Sequence, residues 1–472
     1  MKYFFLPGLF FLFSFQLNAQ AGIPSERWEL MRRFLASRPD FSGVVLVAAG
    51  GETQVLESAG YSDRARAVPV GPQTLFDIGS VSKSFTATAI LQLVEAGKLQ
   101  LDAPLSRFFA NVSEDKKNIT VHQLLSHSAG LPDVIGFDYE AVTKEEFLHK
   151  TFASSLAFAP GKGYLYSNVG YSLLGMIVEQ LSGEPYDAYL QKQVFAPAGM
   201  KTAGYRNAAA DAEQVAHGYL KNGEDWGRPT DKKWDGASPY WHLKANGGLL
   251  MSAADMLQWY RALRGHTVLK KASLDLQCSP HVDEGGGQSF YGYGLVVTDE
   301  GQCIQHNGGN GIFRADFKWF PGLDVVFFLA TNDARVPLFQ VSEQLKQILL
   351  SGELPQSTEW QAISLEKFPA DGRQKAADAL LACLRVYTPE TAGVFIDRHC
   401  SEGIVARNGK ERLLEIMQMF AKDAGAENVK EVAVSGDKIL LQIPARQEGV
   451  LLKITLTFDA DKIDRIGAEL TD

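Results

Sequence analysis

Phe76-Asp77-Ile78-Gly79-Ser80-Val81-Ser82-Lys83-Ser84-Phe85-Thr86 is the stretch from which the rest of this sequence is read. Ser80 and Lys83 stand three apart at the start of a helix predicted over residues 80–96 with Gly97 as its stop, so they share one face. Ser80 also gains the positive end of the helix dipole. A serine hydroxyl is a poor nucleophile until a base takes its proton, and a lysine desolvated in a closed site can hold the neutral form this requires. The spacing alone is a weak signal, because Ser113 and Lys116, Ser364 and Lys367, and Ser435 and Lys438 repeat it. Those copies lie in charged or turn-like settings and read as solvated surface. The Ser80 copy follows an apolar strand-like stretch and precedes a long amphipathic helix.

Two further elements follow in order. Tyr166-Ser167-Asn168 lies in the run Gly161-Lys162-Gly163-Tyr164-Leu165-Tyr166-Ser167-Asn168-Val169-Gly170, with Asn168 as the expected cap of a helix over 169–181. A tyrosine near a lysine can relay the serine's proton to a leaving group, and an asparagine amide can hold the lysine and a substrate carbonyl. The bland reading is a packed aromatic beside a plain cap. Its decoy, Tyr205-Arg206-Asn207, sits in a polar stretch without a loop-to-helix junction. His306-Asn307-Gly308-Gly309 ends a candidate strand. A donor or cation there can bind a substrate carboxylate or polarise the reacting group, and the glycines let backbone N–H groups approach an oxyanion. A lone strand histidine is more often structural.

The surrounding pattern supplies a frame. A helix over 26–35 with Ser25 as cap precedes a hairpin of 44–48 and 53–58 around Gly50-Gly51. Helices follow over 121–127 after Thr120, then 169–181 and 253–263. Strands return over 293–298, 303–306, 313–319 and 325–331 as an antiparallel meander, closed by a helix over 338–350. Both chain ends of this unit thus build one sheet around a helical insert. Residues 353–372 read as a linker, and 373–472 as a small α+β roll of two helices (373–385, 411–421) and four strands, in which Leu452, Ile454, Leu456 and Phe458 alternate with polar neighbours.

The chain has 472 residues, a net charge of -9, 46% hydrophobic residues and four cysteines, which suits a soluble globular protein with a large core. The acidic balance and the lack of a basic run argue against nucleic acid as a partner. Residues 1–19 combine Lys2, an apolar run to Phe15 and small residues near Ala19, a signal-peptide pattern too short for the ~20 residues that cross a bilayer. The expectation is export to a periplasmic or extracellular space, with no membrane segment afterwards. In such a compartment Cys278, Cys303, Cys383 and Cys400 suggest local pairs, 278 with 303 and 383 with 400, while four buried free thiols is an alternative of equal weight. The sequence has no CxxC and no HExxH, so no metal or other cofactor is implied.

Together the three ordered elements resemble the serine β-lactamase and penicillin-binding protein superfamily, and the tyrosine form of the second element resembles its class C β-lactamase-like branch. That branch also holds DD-peptidases, D-aminopeptidases and family VIII esterases. Leu124-Leu125-Ser126-His127-Ser128-Ala129-Gly130-Leu131-Pro132, Pro197-Ala198-Gly199-Met200, Gly247-Gly248-Leu249 and Tyr291-Gly292-Tyr293-Gly294 look like it too. The resemblance covers about residues 25–350. It implies an α+β, β-lactamase/transpeptidase-like fold, with an antiparallel sheet flanked by helices plus a helical subdomain over 20–352. It implies Ser80 as acylated nucleophile, Lys83 as its base, Tyr166 as proton relay, Asn168 on the substrate amide, His306 on the opposite wall, and the Ser80 and Gly309 N–H groups, beside Gly308, as oxyanion hole. The C-terminal unit resembles cystatin-like rolls, with a bound partner as one role. His306 departs from the lysine usual in β-lactamases of the branch. The implied activity is therefore exported hydrolysis of a D-amino-acid peptide, such as a cell-wall peptide, or of a small carboxylic ester, ranked above β-lactam hydrolysis. The competing reading is a non-catalytic ligand-binding or sensory protein on the same fold.

Overall fold

Val44, Val45, Leu46 and Val47 are apolar on both faces of their strand, so Gly43–Ala49 must be covered from both sides. In the computed structural model it is. The model describes residues 22–206, 212–285, 287–354, 361–363, 372–424, 431–435, 438–446 and 451–471. Val44 and Leu46 enter a core beneath the helices Lys83–Glu95, Asn168–Ser182 and Ala253–Arg264, while Val45 and Val47 join Met31, Leu345 and Ile348 on the other face. The strand belongs to an antiparallel eight-stranded sheet in the order Glu52–Ala59, Gly43–Ala49, Val325–Thr331, Arg314–Phe320, Cys303–Gly309, Val296–Thr298, Ser289–Tyr291, Val282–Asp283. Val325–Thr331 is buried throughout for the same reason: Val326, Phe328 and Ala330 face the first core, Val325, Phe327 and Leu329 the second. The helices Ser25–Ala36 and Leu338–Ser351, from opposite ends of this unit, pack on the second face and on each other. The expected α+β architecture is thus present, with the helical insert on one side of the sheet.

Pairing along Cys303–Gly309 is uneven. On one side all seven residues belong to the strand and its partner Arg314–Phe320 runs alongside from Trp319 to Arg314; on the other, Val296–Thr298 pairs only as far as Gln305. Residues His306 to Gly309 therefore run past the end of the neighbouring strand, beside the turn that holds Ser80.

Several local expectations are corrected. Pro24, not Ser25, precedes the first helix, and Ser25 is its first residue. The Ser80 segment is not a simple helix start. Gly79–Ser82 forms a 3-10 turn and the α-helix begins at Lys83, because Asp77 accepts a hydrogen bond from the Gly79 N–H at 2.8 Å and draws the chain into a tight corner. Ser167 rather than Asn168 caps the next helix, its Oγ accepting from the Gly170 N–H at 3.0 Å; Asn168 is the first helical residue and its amide is released for other work. The Thr120-capped helix stops at Leu125, short of His127, which adopts a left-handed conformation at φ 57°. Lys116, read as solvated, is buried.

The four cysteines are all free thiols. Local pairing of Cys278 with Cys303 is ruled out by the sheet: Cys303 points into the core beneath Ser25–Ala36 and Leu338–Ser351, whereas Cys278 packs against the opposite core.

Among its described residues the C-terminal region holds four helices rather than two, Gly372–Arg385, Pro389–His399, Glu402–Asn408 and Lys410–Asp423. The two unexpected ones start at ordinary signals, a Thr388 capping box with Pro389 behind it and a Ser401 cap. An antiparallel five-stranded sheet has the order Gln361–Ile363, Glu431–Ser435, Lys438–Pro444, Leu451–Asp459, Lys462–Thr471, its first strand preceding the helices and the rest following them. The first arises inside the stretch expected to be a linker. Ile439, Leu441, Ile443, Leu452, Ile454 and Leu456 alternate inward onto Leu380, Phe395 and Met417, forming a core of residues from this region alone. The expected signal segment 1–19 and linker residues 355–360 and 364–371 lie outside the described residues. No helix among the described residues is long and apolar enough to cross a membrane.

Candidate active site

The corner at Gly79 sets the geometry. A Cβ at Gly79 would stand 2.2 Å from the Gly309 nitrogen, and one at Gly308 would stand 2.0 Å from the Ile78 carbonyl oxygen and 2.7 Å from the Ser80 nitrogen. Only glycines allow the turn and the strand end to pack main chain against main chain, which brings the Ser80 and Gly309 backbones together. Asp77 fixes this junction from behind: one carboxylate oxygen accepts the Gly79 N–H, the other the Asn310 side-chain amide at 3.0 Å. Burial pushes the Asp77 carboxyl up to about 7, against the lowering effect of those bonds.

Lys83 lies beneath Ser80 with its side chain fully buried. Its Nζ stands 3.0 Å from Ser80 Oγ, 2.6 Å from Asn168 Oδ1 and 2.7 Å from the Asn246 carbonyl oxygen. None of the three is charged. Desolvation consequently pushes the amine down to about 7, with only the more distant Asp133 and Asp138 carboxylates opposing it. A substantial neutral fraction is then present near neutral pH, the form in which the amine can accept a proton from Ser80.

Asn168 is held from its other side, its Nδ2 donating to Asp133 Oδ1 at 2.8 Å. Asn168 thus positions Lys83 through its oxygen, while Nδ2 carries a second N–H beyond the one given to Asp133. Asn246 is braced likewise, donating to Ser172 Oγ and the His242 carbonyl, each at 2.9 Å. Tyr205, the decoy tyrosine, is buried behind this segment, accepting from the Ala245 N–H at 2.9 Å and donating to the Gly247 carbonyl at 3.1 Å.

Tyr166 leans over Lys83, whose Nζ is 4.7 Å from the ring centroid. Its hydroxyl is buried without a closed hydrogen bond and is turned toward Ser80. Burial drives the phenol far above its ordinary value, so it stays protonated and can act as a donor. His306 stands opposite, 6.2 Å between ring centroids. Its Nδ1 donates to the Asn307 carbonyl at 2.6 Å, which leaves Nε2 to accept from the Tyr291 hydroxyl at 3.0 Å. Burial first, and the Lys83 charge second, push the imidazole down to about 3. His306 is therefore a neutral wall residue, not a cation. The idea that it could hold a substrate carboxylate by charge is corrected on that ground.

The structure thus gathers Ser80, Lys83, Tyr166, Asn168, His306, Gly308 and Gly309 around one cleft of about 680 Å³, of which Ser80, Tyr166, His306, Asn307, Gly308 and Gly309 form part of the lining. Sequence reasoning gave no role to Asp77, Asp133, Asn246 or Tyr291, nor to His127, whose ring lies 4.3 Å from both Tyr166 and Tyr291. Three of these stand in or beside stretches already set apart by their resemblance: His127, Tyr291, and Asn246 next to Gly247-Gly248-Leu249. Asp77 stood within the opening stretch, where a carboxylate beside a glycine corner is a recognisable turn signal.

The profile of the Beta-lactamase family matches residues 30–348, a span that holds every residue of this site. Penicillin-binding protein 4* of Bacillus subtilis (strain 168) is 26% identical over 365 residues, covering 74% of this chain and 79% of that protein. Esterase EstB of Burkholderia gladioli is 30% identical over 226 residues, 44% of this chain and 57% of the esterase. Among solved structures, the D-amino acid amidase of Ochrobactrum anthropi SV3 complexed with L-phenylalanine aligns with a TM-score of 0.56 and 27% identity, covering 69% of this chain and 96% of that one.

Proposed function

Because the chain belongs to the Beta-lactamase family, whose profile spans most of it, we propose that it is an exported serine hydrolase working through an acyl-serine intermediate on a D-amino-acid peptide or a carboxylic ester. The observation that carries this reading is the Ser80–Lys83 pair: a hydroxyl and an amine 3.0 Å apart, with the amine pushed down to about 7 by burial among neutral acceptors. In this account neutral Lys83 takes the Ser80 proton as Oγ attacks the carbonyl carbon. The oxyanion forms against the Ser80 and Gly309 N–H groups. Tyr166, kept protonated, passes a proton to the leaving group, and water completes the cycle by the reverse transfers. Asn168 and Asn246 act through Lys83 as positioning residues.

The neutral state of His306 favours neutral acyl groups over β-lactams, whose carboxylate wants a fixed positive charge. Relatives named as an esterase and a D-amino acid amidase support ester and D-amino-acid amide chemistry as candidates. Export rests on the composition of residues 1–19. The same reading makes 20–352 the catalytic domain and 373–472 an appended roll, whose self-contained core supports an independent role such as partner binding. A panel of p-nitrophenyl esters, D-alanyl peptides and a cephalosporin tests the assignment. Turnover of an ester or D-peptide that vanishes in Ser80→Ala is the expected result; turnover of none, or turnover that survives in Ser80→Ala, contradicts it.

A further inference from the structure

The cleft that exposes Ser80 is lined by three carboxylates, Glu284, Asp316 and Glu343, and two cations, Arg314 and Lys318. Most of these are already matched. Lys318 bonds Asp316 at 2.8 Å, Gln305 at 2.9 Å and Glu343 at 3.1 Å. Arg314 donates from one nitrogen to the carbonyls of Ala334 and Val336 at 3.0 and 2.9 Å. Glu284 has no ion pair among the described residues. It is held instead by neutral donors, the Tyr164 hydroxyl at 2.7 Å on Oε1 and the Ser289 hydroxyl on Oε2.

Two hydroxyl donors fix a carboxylate without discharging it, and each oxygen keeps a lone pair for a further donor. Tyrosine rings line the same cleft. Tyr164 packs against Tyr291 with centroids 6.0 Å apart, and Tyr291 meets Tyr166 edge-on at 6.1 Å. A fixed carboxylate in a cleft also lined by Tyr166 and Tyr291 is chemistry suited to an organic ammonium group, which gains a charge-assisted hydrogen bond within an aromatic wall. The same carboxylate repels an anion, and Lys318 is already neutralised by Asp316 and Glu343.

We propose that Glu284 is the specificity-determining residue of this cleft, binding an ammonium group on the substrate. This rests on the hydrolase reading and narrows its substrates to cationic ones, with the acyl bond at Ser80 and the ammonium at Glu284.

The test compares three p-nitrophenyl esters of matched length: hexanoate, 6-ammoniohexanoate and the adipate monoester. The wild type is expected to turn over the ammonium ester with kcat/KM about tenfold above the neutral one, and the anionic one below both. In Glu284→Gln the ratio of ammonium to neutral ester should fall to within about twofold of one, and Tyr164→Phe, which frees the carboxylate from one of its two holds, should lower it part of the way. A wild type without the preference, or a preference that survives in Glu284→Gln, overturns the proposal. If no ester is hydrolysed, the hydrolase reading fails and binding decides this one: calorimetric titration of Ser80→Ala protein with hexylammonium, hexanol and hexanoate should rank hexylammonium tightest, and any other order overturns it.

Discussion

The protein carries the same four-residue spacing twice within its first 120 residues, and the two copies meet different fates. Ser80 and Lys83 begin a buried helix; Ser113 and Lys116 lie in a turn. Both lysines are buried, and both point back to their serine, at 3.0 Å in the first copy and 3.4 Å in the second. The difference lies in the other acceptors. Lys116 is paired with the Asp115 carboxylate at 2.7 Å, and that partner holds Asp115 below its usual carboxylate range. Lys83 meets only an amide oxygen and a backbone carbonyl besides its serine. Neutral oxygens around an amine in a closed site do not offset the desolvation of its charged form, which is what Lys83 meets. The spacing places a lysine next to a serine, and the neighbours decide whether it can serve as a base.

The comparison can be broken most forcefully at its centre. Ser80→Ala or Lys83→Met should reduce hydrolysis of a neutral ester by at least about 10³-fold, read from steady-state kcat/KM, because nucleophile and base act as a unit. Tyr166→Phe removes the proton donor without disturbing Lys83 and should cost about 10²-fold or more in kcat.

Asn168→Asp sharpens the contrast by giving Lys83 the kind of partner that Lys116 already has. In the wild type the amine sits near 7, so kcat/KM should rise with pH through about 7 and then level, as the neutral form becomes dominant. A carboxylate at the Asn168 position, now 2.6 Å from Nζ, favours the charged form and should move that limb upward by about 1–3 pH units, with lower activity at pH 7. The smallest effect belongs to the second copy. Ser113→Ala should leave kcat/KM within about twofold of wild type, since a solvent-side hydroxyl outside the cleft takes no part in the reaction.

The same contrast explains what could be read from the chain. The sheet was legible because its central strands are apolar on both faces, as in residues 44–47 and 325–331, and because Gly50-Gly51 marks a hairpin. The site was legible as ordered elements, Ser80 with Lys83, Tyr166 with Asn168, and His306 with Gly308 and Gly309. What escaped was set by tertiary contact. Burial of Lys116 follows from the way its turn packs, which its charged neighbours Glu114, Asp115 and Lys117 conceal. The cap at Ser167 wins over Asn168 because Asn168 is drawn away to Lys83 and Asp133. The neutrality of His306 depends on burial and on Lys83 beside it, neither of which has a local sequence signature. The cysteines lie on opposite sides of a sheet whose two faces the spacing of Cys278 and Cys303 does not distinguish.

The central claim is that Ser80 is the activated nucleophile and that neutral Lys83 activates it. Labelling of the intact protein with a fluorophosphonate, followed by peptide mapping across pH 5 to 9, tests it most directly. A single adduct on Ser80 that forms faster as pH rises through about 7, and is lost in Ser80→Ala, is the predicted result. An adduct on another serine, equal labelling of Ser80→Ala, or a Ser80 labelling rate indifferent to pH across that range would contradict it.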